Sequence, residues 1–356
     1  MSLIQLTVDN LRCLEHAELT LDPQRNLIWG SNGSGKTSLL EAIFLLGRGR
    51  SFRTRNSDRL IRQGQSRMTV FGRTDGVPAQ AMGVQVAKSS GASGGTTARI
   101  NGAAAGSLTE LSQSFPVQVI DPGVHKLVEE GGFRRRRWMD WAVFHVEQGF
   151  ADGWVRYSRA VKQRNAALKS QPGQAGVWDA EVARLGEIIA EARRRVLEQM
   201  SPAWRQTVQA LSGLEVDLHY SRGWPQDIPL AQALQDARSR DVARGLTHSG
   251  PHRADVLVRL NGRAAREVLS RGQQKLVAIA MTLAQIHLLQ ERTSITPTLL
   301  LDDPAAELDG NHLMKFIDEV SRLNCQLVVT SLQSESTLFG RPERVFHVEQ
   351  GRVAPA

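Results

Sequence analysis

The sequence predicts a mixed α/β fold: a core built on a strand, a glycine-rich turn and a helix, an antiparallel β subdomain beside it, and a compact α-helical lobe inserted into it. Three observations lead there. The short apolar segment NLIW (residues 26–29) runs into GSNGSGKT (30–37) and then into the apolar run SLLEAIFLL (38–46), which is a strand–turn–helix layout. From residue 68 to about residue 120 the pattern becomes short alternating runs parted by glycine-rich turns, the mark of an antiparallel meander. From residue 126 to about residue 208 apolar positions recur at helical spacing, in stretches too few and too short for an extended coiled coil.

The remaining elements follow in chain order. SLIQLTV (2–8) and HAELTL (16–21) alternate as half-buried strands before the core strand. MTVFGR, MGVQVA and ARING supply the meander, and GASGGTT (91–97) reads as a loop. In the lobe, RRRRWMDWAVFHV, YSRAVKQRNAALK and EVARLGEIIAEARRRVLEQM read as helices, with SQPGQAG (170–176) breaking the last two apart. Asn261-Gly262 after VLVRL signals a hairpin. The apolar runs in TLLLDD (298–303) and QLVVTSL (326–332) read as buried strands, and RVFHVEQGRV (344–353) as a terminal hairpin. The expected division is 1–125 for the N-terminal part of the core with the meander, 126–245 for the helical lobe, and 246–356 for the C-terminal part of the core.

Bulk composition bounds the partners. With 41% hydrophobic and 22% charged residues over 356 positions, the chain has the make-up of a soluble globular protein that can bury a full core. A net charge of +8 favours an anionic partner. Thirty-seven of the 44 basic residues are arginine, a bias that genome base composition also produces. Cys13 and Cys325 have no metal-ligand spacing, which fits a reducing compartment. No run approaches the roughly 18 apolar residues of a membrane span, and no signal-like segment opens the chain, so a cytoplasmic protein without a membrane partner is expected.

Two acidic or glycine-rich sites carry the chemistry. GSNGSGKT satisfies G-x-x-x-x-G-K-[ST] in its required context between a strand and a helix. Gly30, Ser31, Asn32, Gly33, Ser34, Gly35, Lys36, Thr37 and Ser38 are the expected ATP-binding residues. The glycines let successive N–H groups turn toward phosphate oxygens, Lys36 reaches the terminal phosphates, and the Thr37 hydroxyl ligates Mg2+. Asp302 and Asp303 end a buried strand at the edge where nucleotide sites form in open α/β sheets. Asp302 is expected to hold the metal through water and Asp303 to act as general base. The competing reading makes each an N-cap for the next helix. LSRGQQK (269–275) adds a second turn at a helix start, where free N–H groups favour anions.

Ser270, Gly272 and Gln273 in that turn resemble the signature of the ATP-binding-cassette (ABC) superfamily, so the fold class becomes an ABC-type P-loop ATPase head. The resemblance implies that the signature of one copy caps the nucleotide on the phosphate loop of another, in an ATP-dependent head-to-tail homodimer. A plain helix cap is the alternative. Glu307, Leu308 and Asp309 stand where the superfamily has a turn that meets the partner copy. Thr330 and Ser331 end the strand where it often has a switch histidine, and no histidine stands there.

Roughly 230 residues separate the phosphate loop from the signature, too many for a transport subunit and too few for an SMC-type coiled coil. Together with RSFRT, RRRRWMD, GPHRAD, LSRGQQK and LLLDDPAAELD, spread almost end to end, this resembles the RecF family of bacterial recombination mediators. The family implies a slow, DNA-stimulated ATPase that binds duplex DNA and single-strand junctions, works with RecR and RecO to help load RecA, and resides in the cytoplasm at the nucleoid. Arg12 resembles an arginine that reaches the nucleotide in related ATPases. Independently of the family, Arg48, Arg50, Arg53, Arg55, Arg59 and Arg62 interleave with Ser, Thr and Asn as backbone contacts to DNA do, the alternative being a solvated loop. Arg134, Arg135, Arg136 and Arg137 point all ways around a helix and divide between DNA and structural pairs. The rival functions are an energising subunit of a membrane transporter and a nucleotide-switched factor whose basic surface meets a protein.

Overall fold

A computed structural model describes residues 2–88, 95–105 and 108–356. They divide into two compact units, one of residues 1–124 and 294–356, the other of residues 125–293.

The first unit contains two sheets and the phosphate-loop helix. One sheet runs in the order Arg352–Pro355, Arg344–Glu349, Arg25–Trp29, Gln326–Ser331, Thr298–Leu301, Val117–Ile120. All neighbours in it are parallel except the terminal hairpin pair. The middle strands are buried at every or nearly every position, which explains why they read as unbroken apolar runs rather than alternating ones. The second sheet is antiparallel, starting with Leu14–Thr20, Leu3–Leu11, Arg67–Thr74, Ala81–Ala87 and Gly95–Ile100. Its strands alternate buried and open positions as one-faced sheets do.

The helix Lys36–Arg48 joins both sheets. Leu39, Ile43 and Leu46 from the helix, Leu6, Val70 and Val84 from the antiparallel sheet, and Ile28, Leu300 and Val328 from the parallel sheet form one buried cluster. A Leu→Ala change inside it costs roughly 2–5 kcal/mol. Gly47 sits so close to Phe115 that a Cβ would lie 2.3 Å from its carbonyl oxygen, so the helix end packs directly against the segment leading to the edge strand.

The second unit is mainly helical: Gly132–Val146, Phe150–Ser170, Asp179–Ser212 and Arg271–Arg292 are its long helices, with a three-stranded sheet of Val216–Ser221, Asp255–Leu260 and Arg263–Ala264. Buried ion pairs tie it together. Arg164 is 1% exposed and bonds Asp179, Asp241 and Thr247; Arg193 bonds Asp140 and the Pro251 carbonyl.

Three expectations change. The meander ends earlier than residue 120: Leu108–Ser114 is a helix, and Val117–Ile120 is a parallel strand of the other sheet. Its four residues carry no alternation, because both faces are covered. Of the loop expected at 91–97, residues 91–94 lie outside the described residues and Gly95 onward is strand. The expected boundary between 245 and 246 falls inside the second unit, where the signature helix packs on Asp179–Ser212. Each residue of the arginine run has a partner within its unit. Arg135 makes a two-pronged pair with Asp255 at 2.9 Å and bonds the carbonyls of Leu127, Val128 and Glu130. Arg136 bonds the Ala254 carbonyl, Arg134 pairs with Glu130, and Arg137 lies over the Phe133 ring.

Candidate functional site

The phosphate loop is held from three sides, two of them backbone. Gly30 follows the strand Arg25–Trp29 at φ 156°, and a Cβ there would lie 2.2 Å from the Val348 carbonyl oxygen. Only glycine fits so close to the neighbouring strand. Gly351, in the terminal hairpin turn, donates its N–H to the Ser34 carbonyl at 2.9 Å. Cys13, in the turn after the first strand, places its Sγ 3.1 Å from where a Gly35 Cβ would be. Gly33 and Gly35 both take positive φ, 76° and 122°. Ser31, Asn32 and Gly33 face solvent, while Ser34 and Ser38 are buried. The Ser34 hydroxyl is buried with no hydrogen-bond partner among the described residues.

Lys36 is 7% exposed and donates to the Gly30 carbonyl at 2.7 Å and the Ser31 carbonyl at 2.9 Å, closing the loop into a ring. Burial lowers its pKa, and the charges of Asp303 and Asp302 act against that. The Thr37 hydroxyl donates to Asp302 at 2.9 Å, so the two residues expected to share a metal are already side by side, although 265 positions apart in sequence. Thr330 donates to the same carboxylate at 3.0 Å. Burial pushes the Asp302 carboxyl above its ordinary pKa; the Thr37 and Thr330 hydroxyls, then the Arg53 and Lys36 charges, pull it back toward carboxylate.

Asp303 takes φ 47° and donates its N–H to the Thr330 hydroxyl at 2.8 Å. Its side chain makes no capping bond to the helix Pro304–Glu307 that follows, so the N-cap reading has no support in its geometry. Burial raises its pKa as well, opposed by the Lys36 charge. The Thr330 hydroxyl thus braces both acidic residues from the position where a histidine was sought. Sequence reasoning missed this: a threonine at a strand end carries no signal until the neighbouring strand brings the acids to it. A hydroxyl and a carboxylate in contact are hard oxygen donors of the kind Mg2+ takes from proteins, which leave most of its shell to water and phosphate.

Arg12, at φ 55° in the first turn, makes a two-pronged pair with the fully buried Glu41 at 2.9 and 3.0 Å. The six arginines of the basic loop separate by environment. Arg53 stands 3.7 Å from Glu41, Arg62 pairs with Glu15 at 2.9 Å, and Arg48 lies over the Phe44 ring. Arg50, Arg55 and Arg59 are exposed.

In the second unit, Ser270 is the N-cap of Arg271–Arg292 and forms a full capping box: its hydroxyl accepts from the Gln273 N–H at 3.3 Å, and its own N–H donates to Gln273 Oε1 at 3.0 Å. The cap expected as the alternative is therefore real. It does not account for Gly272. That residue is exposed in the first turn, and a Cβ on it would meet nothing closer than Ser270 Oγ at 4.0 Å.

A phosphate loop and an acidic strand end on a mostly parallel sheet, joined to an antiparallel sheet, define a P-loop ATPase head of the ABC and SMC type. The RecF/RecN/SMC N-terminal domain model matches residues 2–353. The DNA replication and repair protein RecF of Cellvibrio japonicus is 39% identical over 99% of both chains, and that of Shewanella loihica 37% identical over 99% of both. A solved structure of a recombination mediator protein RecF with ATP superposes with a TM-score of 0.88 at 25% identity, covering all of this chain and 97% of that one. The chain belongs to the RecF family.

Proposed function

We propose that this chain is an ATP-dependent DNA-binding protein of recombinational repair and replication restart, in which ATP joins two copies head to tail and slow hydrolysis parts them. The observation that carries the reading is the signature turn. Glycine in a helix costs about 1 kcal/mol relative to alanine, and Gly272 has open space around it. Its lack of a side chain serves something that approaches from outside, as a triphosphate on a second copy would. The phosphate-loop geometry supplies the other half of such a site.

In this reading the loop N–H groups, Lys36 and the Ser34 hydroxyl bind the phosphates of ATP, and Thr37 and Asp302 hold Mg2+. The metal supplies charge neutralisation at the phosphate oxygens. Asp303 takes the proton of the attacking water as the water oxygen bonds the terminal phosphorus and the bond from that phosphorus to the departing ADP breaks. The exposed signature turn of the second copy closes over the terminal phosphate and excludes bulk water. The curated relatives are named for DNA replication and repair, and the solved relative for the RecFOR pathway. They support DNA repair as the setting and RecR and RecO as partners, to which the family resemblance adds gapped DNA and RecA.

The test is duplex binding with and without ATP at several salt concentrations, beside sedimentation. ATP is expected to produce dimers and to tighten DNA binding, and Lys36→Met to abolish both. A protein that stays monomeric with saturating ATP, or one whose DNA affinity ignores ATP and salt, overturns the reading. Binding to an acidic protein instead of DNA would replace it with a switch acting on a protein partner.

A further inference from the structure

Glu41 stands in the first turns of the phosphate-loop helix with no solvent exposure on its side chain. A carboxylate taken out of water is tolerated only when positive charge and hydrogen bonds replace what water gave. Here they arrive from two different surfaces. From the turn beside the phosphate loop, Arg12 donates through Nε at 2.9 Å and through its terminal nitrogen at 3.0 Å. From the basic loop, the Ser51 hydroxyl donates to Glu41 Oε1, and the Arg53 guanidinium stands 3.7 Å from Oε2. Ser51 Oγ also accepts the N–H groups of Arg53 at 2.9 Å and Thr54 at 3.0 Å, so one hydroxyl folds the start of the basic loop onto this carboxylate.

The two guanidiniums are not equivalent. Arg12 is 22% exposed and held by both its bonds, whereas Arg53 is 44% exposed and beyond hydrogen-bond distance. An anionic backbone lying on the basic loop therefore draws on Arg53 first. The buried carboxylate, short of that charge, then depends more strongly on Arg12, whose turn carries Cys13 against Gly35 of the phosphate loop. Fixing that turn pre-forms the nucleotide cradle.

We propose that Glu41 is a positioning residue that couples the two surfaces, so that duplex DNA on the basic loop tightens nucleotide binding and nucleotide tightens DNA binding. The proposal rests on the function proposed above, for which it names the physical link. Reciprocity is a thermodynamic requirement, and couplings of this kind are on the order of ten-fold.

The experiment measures the affinity of a non-hydrolysable ATP analogue with and without a duplex oligonucleotide, in the wild type and in Glu41→Gln, Glu41→Asp and Ser51→Ala. DNA is expected to tighten the analogue by about ten-fold in the wild type, by less than two-fold in Glu41→Gln, and by an intermediate amount in Glu41→Asp, which keeps the charge but shortens the reach. Ser51→Ala leaves the Arg12 pair in place and is expected to lose most of the effect, which decides the matter should Glu41→Gln fail to fold in a melting experiment. Full coupling retained in Ser51→Ala and in folded Glu41→Gln overturns the inference alone, whereas a wild type that binds DNA without any change in nucleotide affinity has, by linkage, a DNA affinity indifferent to nucleotide and counts against the proposed function too. A wild type that binds no DNA overturns the function beneath it as well.

Discussion

Asp303 holds a left-handed backbone at φ 47°, a conformation that costs a non-glycine residue energy and persists where the surroundings impose it. The Thr330 hydroxyl imposes it by accepting the Asp303 N–H, while donating to Asp302. The result is an aspartate whose carboxylate is committed to no cap and is raised in pKa by burial. For Asp303→Asn we expect ATP binding and dimerisation to survive and hydrolysis to fall by about 100-fold or more, so that ATP-loaded dimers outlive those of the wild type in sedimentation. Unchanged turnover would remove Asp303 from the base role. The pH profile gives an independent sign. A base works ionised, so a carboxyl raised above the ordinary 3.8 loses activity as pH falls through that raised value. Single-turnover rates are expected to show an acid limb above the range of an exposed aspartate, and Asp303→Asn to abolish it.

The signature element joins a structural and a proposed functional role in one turn, and substitutions can separate them. Aspartate caps helices as well as serine does, so Ser270→Asp preserves the cap while setting a negative charge where a phosphate is proposed to dock. It is expected to melt like the wild type and to fail at ATP-driven dimerisation. Ser270→Ala, by contrast, loses the cap and about 1 kcal/mol. Gly272→Ala is expected to stabilise the fold by up to about 1 kcal/mol, since the added methyl meets open space, and yet to weaken the dimer several-fold. A Gly272→Ala protein that dimerises normally would return the turn to a purely structural status. The segment Pro251–Arg253 is a second element with a measurable signature. His252 donates from Nε2 to the Thr247 carbonyl at 2.9 Å, leaving Nδ1 to accept the Tyr157 hydroxyl at 2.6 Å. Burial pushes its pKa from the ordinary 6.5 down to about 4, with the charges of Arg253 and Arg136 acting in the same direction. Between those values the unfolded chain takes up a proton that the folded chain refuses. Stability from this site is therefore complete above pH 6.5 and is lost as pH falls toward 4, by about 3 kcal/mol at most. Urea unfolding at pH 7.5, 6 and 5 is expected to show a steeper loss for the wild type than for His252→Gln, and parallel curves would contradict the buried neutral histidine.

At the scale of the whole molecule, what could be read from the chain is what the chain determines locally. The phosphate loop, the acidic strand end and the signature cap each announce themselves within eight residues, because turn geometry and strand burial act at that range. Thr330, Glu41 and the Arg135–Asp255 pair became visible only in three dimensions, since each depends on partners distant in sequence, and each member of the arginine run, read as divided between DNA and structural pairs, has a partner within the fold. The same distinction bears on the basic loop, where charge alone named six arginines and the environments separate them. Arg50 and Arg59 are exposed, and no ion pair or hydrogen bond engages their guanidiniums among the described residues, whereas Arg62 is tied to Glu15. Each phosphate contact contributes about 0.9 to the slope of log affinity against log salt. Replacing Arg50 and Arg59 together by alanine is thus expected to reduce that slope by about 2 for a single chain. A head-to-tail dimer carries each arginine twice, and if both copies lie on one duplex the reduction becomes about 4. Measured without ATP and then with it, the double variant therefore reports on geometry as well as contact: a loss that doubles with ATP places both loops on the same DNA, and a loss that stays near 2 leaves one loop facing away. Arg62→Ala is expected to change the slope by less than either, because its charge is already matched. An unchanged slope in the double variant, in both nucleotide states, would take the loop out of the DNA interface altogether.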